Sequence, residues 1–413
     1  MYRKLRVKAQ GGKKMKKRFS KVISIFLILT LCFAVMSPAA SAANTTPAEL
    51  AHLKCGVGGS FRILQIADIQ DGAKLRRITA DFIRAAIEKT EPDLIVLTGD
   101  NIAGYGCKSY IKPIDKLLVK SAINGFMSIF EEAGIPVAAV FGNHDDEGTK
   151  ISKEEQFEIY SQYSCFIGYD EGDSVSGCGN YNVPIYSSDG ERLIYNLWMF
   201  DSGTYDEVNG GYDYIKQDQL DWYVSKSNEL KAENGGVPVP SMSFQHIIVP
   251  EIYQALKQVP EGTEGAISRD GVYYVLDSEN TRCGAMHESP CPSNTNSGQF
   301  QAIKNQGDIV AMFFGHDHVN TFEVNYQGID LVATPGAGFA SYGDELRGVR
   351  LITINENDTS TYETEVITYH SLYGDDLMAS LRFDMMANET SIWTKIWSGI
   401  VYYTLRAFYS FAS

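Results

Sequence analysis

The chain has 413 residues, of which 44% are hydrophobic, 21% charged and 12% aromatic, and its formal net charge is −15. This composition excludes disordered, collagenous and coiled-coil chains, and the length allows two or three domains or one large α/β domain with a tail. Residues 1–42 hold ten of the 36 Lys and Arg residues and no acid, which leaves 26 bases against 51 acids in the rest. Because phosphate affinity depends mainly on Lys and Arg, we expect no general nucleic-acid binding.

The N-terminus has the three parts of a secretory signal. A basic start is followed by residues 22–36, which carry no charge, and then by small residues at 37–43. This order predicts a signal peptide over residues 1–42 with cleavage after Ala42, and therefore a secreted or surface-associated protein. The alternative is an uncleaved anchor, but the apolar run is shorter than the ~20 residues that a spanning helix needs. The polar residues 43–60 predict a linker.

Six cysteines remain after the predicted cleavage. An even number in an exported chain predicts disulfides, although the sequence leaves several pairings open. Short loops favour Cys165–Cys178 and Cys283–Cys291, which leaves Cys55 to pair with Cys107. No two cysteines have the CxxC spacing, so neither a zinc ribbon nor a thioredoxin-type site is predicted.

From residue 61 onwards, short apolar runs alternate with helical patterns. Runs rich in Ile, Val and Phe predict buried strands at 61–67, 93–98, 137–141, 193–200, 242–245 and 309–314. Apolar residues at helical spacing predict helices at 75–89, 111–133 and 216–233. This alternation predicts right-handed βαβ units with mainly parallel strands. Strands without intervening helices, expected to be antiparallel, follow at 321–326, 329–333, 348–354 and 361–369, and residues 262–308 are expected to form a long loop.

The C-terminal segment 371–413 ends in an unusually aromatic stretch. Residues 391–413 include Trp393 and Trp397 and only two charged side chains, Lys395 and Arg406. One interpretation is a helix that makes weak contact with a membrane surface. The other, which we favour from the sequence, is a helix docked on the domain, because an apolar face is more often core than membrane contact.

Polar side chains follow five of the predicted strands. They are Asp68 and Gln70, Asp100 and Asn101, Asn143 with His144 and Asp145, His246, and His316 with His318. Because the carboxyl ends of parallel strands face one crevice, these side chains are expected to converge. Carboxylate, amide and imidazole groups suit Zn, Mn or Fe, and two such divalent or trivalent ions can share one carboxylate. A lone strand-end Asp is more often a helix cap, and a lone buried His is more often hydrogen-bonded than metal-bound.

These motifs together resemble the calcineurin-like metallophosphoesterase superfamily, over residues 61–369. The segments around Asp68, Asp100 and His316 are similar to a branch that contains a fungal size and cell-cycle phosphatase and plant purple-acid-phosphatase-like proteins. The resemblance implies an α/β fold, a sandwich of two mixed β-sheets flanked by helices, over residues 61–370.

The resemblance also implies a role for each motif residue. Asp100 would bridge two metal ions, with Asp68 and His318 at the first ion. Asn143, His246 and His316 would hold the second ion. The implied reaction is in-line attack on phosphorus by a hydroxide between the ions.

The resemblance places further residues around the reacting phosphate. His144 would contact the phosphate and assist the leaving oxygen, and Asp145 would orient the catalytic groups. Asn101 and Phe339 are expected to contact the substrate, and Tyr342 is expected to line the substrate mouth together with Phe339. Phe339 lies in the Gly-rich segment 334–339, for which an ordinary turn is the alternative.

One position departs from the family pattern. The first motif of the family usually ends in a histidine that binds the first metal ion, and this chain has Gln70 there. Purple acid phosphatases place a tyrosine three residues after the bridging aspartate, where this chain has Ala103. An amide oxygen is a poorer ligand than imidazole for zinc or iron. We therefore expect the first site to bind metal more weakly, or to favour Mn or Mg.

The sequence predicts an exported, metal-dependent phosphoesterase that acts on phosphomonoesters. Its expected substrate is a small phosphoester or a phosphoprotein. One alternative is a phosphodiesterase of the same fold, because fold and motifs do not separate the two activities. The other is a degenerate, non-catalytic binding protein at the cell surface.

Overall fold

The computed structural model describes residues 52–412. The predicted signal peptide at 1–42 and the first part of the predicted linker at 43–60 lie outside the described residues. The last part of that linker is packed against the domain, because Leu53 and Cys55 are buried and the Cys55 amide donates to the Tyr186 carbonyl (3.0 Å). The packed domain therefore begins before residue 61.

Fifteen strands form three sheets within the described residues. In chain order they are β1 (Ser60–Ile66), β2 (Leu94–Thr98), β3 (Val137–Val140), β4 (Tyr181–Tyr186), β5 (Leu193–Met199), β6 (Ser241–Gln245), β7 (Lys257–Val259), β8 (Ile267–Arg269), β9 (Val272–Val275), β10 (Thr281–Cys283), β11 (Ile309–Phe314), β12 (Glu323–Tyr326), β13 (Ile329–Ala333), β14 (Gly348–Asn355) and β15 (Asp358–Thr368). The first sheet has the order β15-β14-β1-β2-β3, and the second has the order β10-β12-β13-β11-β6-β5-β4. A small third sheet has the order β7-β9-β8.

Nine α-helices accompany these strands in the described part of the chain. They are α1 (Arg77–Thr90), α2 (Lys112–Ala133), α3 (Lys153–Tyr160), α4 (Gln217–Glu233), α5 (Ile252–Ala255), α6 (Gln299–Gln306), α7 (Tyr369–Tyr373), α8 (Leu377–Met386) and α9 (Ile392–Ala412). A single 3₁₀ turn at Gly104–Cys107 follows β2.

Both large sheets are mixed, which confirms the predicted fold class. Strands β1, β2 and β3 are parallel in the first sheet, and β5, β6, β11 and β13 are parallel in the second. Strands β14 and β15 are antiparallel, as expected, and β4 pairs with β5 in antiparallel fashion. Strand β13, which was also expected to be antiparallel, is antiparallel to β12 but parallel to β11. The parallel strands predicted from the sequence are thus divided between two sheets.

The core is layered, because side chains of each sheet alternate between two apolar clusters. In β1, Ile63 packs between the two sheets, whereas Leu64 and Ile66 pack against the helices. The buried side chains of α1 and α2 cover the outer face of the first sheet, and those of α4 and α6 cover the second. The result is a helix–sheet–sheet–helix sandwich, in which each helix buries one apolar face.

The predicted loop at 262–308 and the predicted tail at 371–413 are more ordered than the sequence suggests. The loop contains the strands β8, β9 and β10 and the helix α6. The three strands have only three or four residues each, which is too short to show a hydrophobic periodicity in the sequence. Helix α8 contributes Ala379 and Phe383 to the core, so the packed domain continues past residue 370. None of the helices within residues 52–412 combines the length and hydrophobicity needed to span a bilayer.

The predicted disulfides are not formed among the described residues, where all six cysteines are free. The proposed partners Cys55 and Cys107 lie in different core clusters, on opposite sides of the first sheet. The thiol of Cys283 instead contacts Glu323 (3.7 Å), and that of Cys291 contacts the Ser289 carbonyl (3.3 Å).

Candidate metal centre

The predicted motif residues converge where the two large sheets meet. Strands β1, β2 and β3 lead into Asp68, Asp100 and Asn143, whereas β6 and β11 of the second sheet lead into His246 and His316. The amide of His316 donates to Asp68 Oδ2 (3.0 Å), and the His246 ring lies 2.9 Å from the Thr98 carbonyl. The centre therefore straddles two sheet edges, whereas the sequence interpretation placed it at one.

The backbone leaves the strands in an unusual conformation at four of these positions. Asp68, Gln70, Asp100 and His316 have φ values of 52°, 42°, 48° and 74°, in the left-handed region. Such residues each cost about 1–3 kcal/mol and cluster at functional sites. The sharp turns bring the side chains of Asp68, Asp100 and His316 back toward the groups described below.

Two glycines allow this close approach. A Cβ atom on Gly142 would lie 2.2 Å from Asp100 Oδ1, and one on Gly99 would lie 2.6 Å from His246 Nδ1. No side chain can be accommodated at such distances, so glycine is required before Asp100 and before Asn143.

The first group of candidate metal ligands contains Asp68, Asp100 and His318. One ligand atom from each lies within 4.8 Å of the others, and all three side chains are buried. The Nε2 atom of His318 is 3.3 Å from Asp68 Oδ1. Its other nitrogen, Nδ1, is 3.0 Å from the Tyr342 carbonyl, to which it can donate. This hydrogen bond fixes the tautomer and leaves Nε2 free for a cation.

The second group contains Asp100 again, with His246 and His316. Asp100 Oδ2 is 3.3 Å from His246 Nε2, which is 3.2 Å from His316 Nδ1. The opposite nitrogen of His246 donates to the Thr98 carbonyl, so Nε2 faces the group. Because Asp100 belongs to both groups, its carboxylate is placed to bridge two ions.

The charges in the second group favour a cation. Burial lowers the pKa of His246, but the charge of Asp100 outweighs it and raises that pKa to about 9. Burial and the neighbouring His246 push the pKa of His316 well below its usual range. Burial raises the pKa of Asp100, but the charge of His246 outweighs this and the net shift is downward. The Asp100 carboxylate thus stabilises positive charge among the three side chains, as it would stabilise a metal ion.

Several buried polar atoms have no hydrogen-bond partner among the described residues. They include Gln70 Oε1, Asn143 Oδ1 and His316 Nε2. Most buried polar atoms in native proteins are paired, so unpaired oxygens grouped with carboxylates and imidazoles call for a ligand. This donor set of carboxylate, amide and imidazole groups fits a pair of divalent or trivalent metal ions.

Gln70 and Asn143 are both placed in the centre. The backbone N–H of Gln70 donates to the backbone carbonyl of Asp100 (2.9 Å), and the Gln70 side chain is buried. Asn143 Nδ2 donates to the Tyr205 hydroxyl (3.1 Å), which turns Oδ1 away from Tyr205. The backbone of Gln70 is therefore tied to that of the shared aspartate, at the position where the resemblance implies a histidine.

His144 lies at the mouth of the centre and is half-buried. Its amide donates to Asp100 Oδ1 (2.7 Å), and its Nδ1 contacts the carboxylate of Glu147. The edge of its ring packs against Tyr105, with centroids 5.5 Å apart. The contact with Glu147 leaves Nε2 as the ring nitrogen available to a substrate.

Asp145 and Asn101 hold the turns that carry the ligands. The Asp145 carboxylate is fully buried and accepts from the amides of Ile102 (3.0 Å) and Gly142 (2.7 Å). Burial and the nearby Asp100 raise the pKa of Asp145. Asn101 donates to the Val140 carbonyl (2.9 Å) and is also buried. Both side chains join the strand ends of β2 and β3, and neither faces solvent.

Phe339 does not lie at the mouth, contrary to the sequence expectation. It is fully buried, and it packs against Tyr369, Phe383 and the Arg347 guanidinium. Tyr342 takes the exposed position, and its ring stacks on His318 with centroids 4.1 Å apart. A Phe in a Gly-rich segment gives no sign of which side it will face.

The sequence interpretation missed two further tyrosines at the centre. Tyr205 contacts Asn143 through its hydroxyl, and Tyr212 packs edge-on against His316 with centroids 4.2 Å apart. The two tyrosine rings also stack on each other, at 5.8 Å. They lie in the connection after β5, which carries no recognisable motif.

Comparison with known proteins agrees with this geometry. The sequence profile described as calcineurin-like phosphoesterase matches residues 61–320. A protein named probable inactive purple acid phosphatase 29, from Arabidopsis thaliana, is 30% identical over 75% of this chain and 80% of its own length. Phosphatase DCR2 of Saccharomyces cerevisiae is 29% identical over 74% of this chain and 54% of its own length.

A solved structure gives a further, more distant similarity. The dimetal phosphatase from Danio rerio is 14% identical, with a TM-score of 0.45, over 75% of this chain and 99% of that one. The profile match alone spans more than half of the chain, and it contains the strand ends that supply Asp68, Asp100, Asn143, His246 and His316. The protein therefore belongs to the calcineurin-like phosphoesterase family.

Proposed function

We propose that the protein is a metal-dependent hydrolase of phosphomonoesters. The observation that carries the proposal is the pair of buried ligand groups that share the Asp100 carboxylate. Two ions held by such a centre act as Lewis acids on phosphoryl oxygens and lower the pKa of water.

The two groups would favour different ions. Asp68, Asp100, Gln70 and His318 offer mainly oxygen to the first ion, which suits Mn or Mg. Asn143, His246 and His316 add two imidazoles beside Asp100 at the second, which suits Zn, Fe or Mn. The buried side chains exclude bulk water from the ligands, so their charges act on a phosphate in a low dielectric.

His144 is the candidate general acid. Glu147 holds the Nδ1 atom of His144 and leaves Nε2 available, and the His144 backbone is tied to Asp100. In that position the imidazole can hydrogen-bond a phosphoryl oxygen and deliver a proton to the leaving oxygen.

The mouth favours a phosphomonoester with an aromatic or otherwise uncharged leaving group. Four tyrosines each contact one of the centre's residues: Tyr105, Tyr205, Tyr212 and Tyr342. All of them except Tyr212 are 42–50% exposed. Tyrosine rings offer stacking surface and hydroxyl groups, which suit a small aryl phosphate or a phosphotyrosine-like side chain.

Export is the second part of the proposal. It rests on the basic, apolar and small-residue segments of residues 1–43. N-terminal sequencing of protein recovered outside the cytoplasm tests it, with Ala43 as the expected first residue. Recovery only inside the cells, with residue 1 retained, would contradict it.

Activity is tested with p-nitrophenyl phosphate and bis-p-nitrophenyl phosphate in parallel, with added Mn, Zn, Fe or Mg. We expect faster hydrolysis of the monoester, and loss of metal and activity in Asp100→Asn. Asp330→Asn is the matched control and should retain metal and activity. Asp330 is also a buried aspartate, but it lies at the start of β13, away from the strand ends that form the centre.

A non-catalytic role is the second candidate, because Gln70 replaces a ligand and a similar protein carries the name probable inactive. Metal bound in stoichiometric amounts, with no turnover of any phosphoester, would favour that role. Preference for the diester would instead make the protein a phosphodiesterase.

A further inference from the structure

Helix α9 presents its more apolar face to solvent. Six of its large exposed side chains lie along one side. They are Trp393, Ile396, Trp397, Ile400, Tyr403 and Phe408. Trp393 is 78% exposed and Trp397 is 66% exposed, which is unusual for residues of this size. A helix that served only to complete the core would turn this face inward.

The opposite face of α9 docks on the domain. Ser398 is buried, and its hydroxyl donates to Asp384 of α8 (2.9 Å). Val401 and Leu405 on the same side are partly buried. Helix α9 thus docks on the domain through this side only. The docked helix expected from the sequence would have buried its aromatic side as well.

Cationic side chains flank the exposed face. Helix α9 contains Lys395 and Arg406 and no acidic residue. Arg406 lines a cavity of about 310 Å³ together with Arg77 and Arg382. Asp81 pairs with Arg77 (3.7 Å) and Arg382 (2.7 Å). Across residues 52–412, no ion pair is formed by Arg406.

We propose that α9 and this arginine-lined cavity form a docking surface for an anionic lipid bilayer. The two tryptophans and the tyrosine would lie at the level of the headgroups, and the isoleucines would enter the acyl boundary. Arg406 would meet the lipid phosphates, since basic residues beside such a helix add attraction to anionic lipids.

Charge supports a bilayer over a second copy of the chain. Helix α9 carries Lys395 and Arg406 and no acidic residue, so a second copy docked through the same face would bring like charges together, whereas anionic lipid would neutralise them. The surface is separate from the metal centre, so it stands or falls independently of the proposed activity.

Tryptophan fluorescence tests the proposal on the full mature chain. The chain has four tryptophans, and Trp393 and Trp397 are the two strongly exposed ones. We expect a blue shift with vesicles of phosphatidylcholine and phosphatidylglycerol, a weaker one with phosphatidylcholine alone, and quenching by brominated phosphatidylglycerol. The quenching result needs no variant, so it does not depend on how a variant folds.

Variants then locate the contact. Arg406→Glu is expected to weaken partitioning roughly 30-fold, from about 1 kcal/mol per charge. Lys89→Glu, with the same charge change at an exposed site on α1, is the control. Trp393→Ser with Trp397→Ser should abolish the quenching, whereas Tyr110→Ser, at another exposed aromatic residue, should not.

Three results would overturn the proposal. If brominated lipid does not quench the tryptophans of the wild-type protein, α9 does not enter a bilayer. If the wild-type protein sediments as a dimer, the double tryptophan variant sediments as a monomer and neither binds vesicles, the face belongs to a second copy of the chain. Binding of inorganic phosphate that Arg406→Glu abolishes, without vesicle binding, assigns the cavity to a soluble anion.

Discussion

Replacing Gln70 by Met should stabilise the metal-free protein and weaken its response to metal. Gln70 Oε1 is buried without a hydrogen-bond partner among the described residues, and such an atom costs about 1–3 kcal/mol. Methionine has a similar shape and no carbonyl oxygen, so the variant removes that cost. The left-handed backbone at this position, with φ of 42°, is the same in both proteins.

The opposite sign is expected once metal is bound. In the wild-type protein an ion would satisfy Oε1, so the same 1–3 kcal/mol appears as binding free energy. The variant should therefore lose about 5- to 150-fold in metal affinity while its metal-free form gains stability. Urea unfolding with and without Mn²⁺ measures the stability of the metal-free protein and the free energy of metal binding on one sample. The variant Gln70→His should bind metal more strongly at the first site.

Gln65 provides the matched control. It is a buried glutamine on the preceding strand, and it bonds to Thr98 (3.1 Å), Phe314 (3.3 Å) and Thr334 (2.7 Å). Gln65→Met should destabilise the protein by a similar amount with and without Mn²⁺. If Gln70→Met behaves in the same way, or leaves the gain from Mn²⁺ unchanged, then Gln70 is not a metal ligand.

Three further predictions concern the candidate catalytic histidine, a tyrosine that we propose positions Asn143, and the core. His144→Ala should lower kcat about 10²- to 10⁴-fold with metal content unchanged, and loss of metal would show a structural role instead. Tyr205→Phe removes the acceptor for Asn143 Nδ2 and should weaken metal binding about 10- to 100-fold, whereas Tyr326→Phe, at a peripheral tyrosine, should not. Burial raises the pKa of Asp308, so the native state holds its proton longer than the unfolded chain and stability falls as pH rises from about 4 through that pKa. Asp308→Asn should flatten this fall in unfolding free energy, and an unchanged pH profile would contradict the assignment.

The residues of the candidate metal centre could be predicted from the sequence because each is local to a strand end. Asp68, Asp100 and Asn143 follow short apolar runs, and the turn after each run leaves little choice of direction. His246 and His316 follow in the same way. What the sequence did not indicate is that these strands belong to two sheets, since a buried strand looks the same in either sheet.

The rim of the centre could not be predicted for a different reason. Tyr205 and Tyr212 lie in a long connection, and their contacts depend on the path of that connection through space. Phe339 and Tyr342 are three residues apart in one irregular segment, and one is buried while the other is exposed. No periodicity governs such a segment, so the choice between them is made by tertiary packing.

The division of the ligands between two sheets links metal binding to the stability of the whole sandwich. Asp100 and Asn143 come from the first sheet, and His246 and His316 come from the second, so an ion held by all four would connect the sheets. The same region holds left-handed residues and unpaired buried oxygens, which lower stability in the absence of metal. Their cost is offset by the apolar layer between the sheets, which must already hold the edges together before an ion arrives. The candidate centre is therefore preformed, and an ion bound there would gain affinity because it would relieve groups that the fold has placed but left unsatisfied.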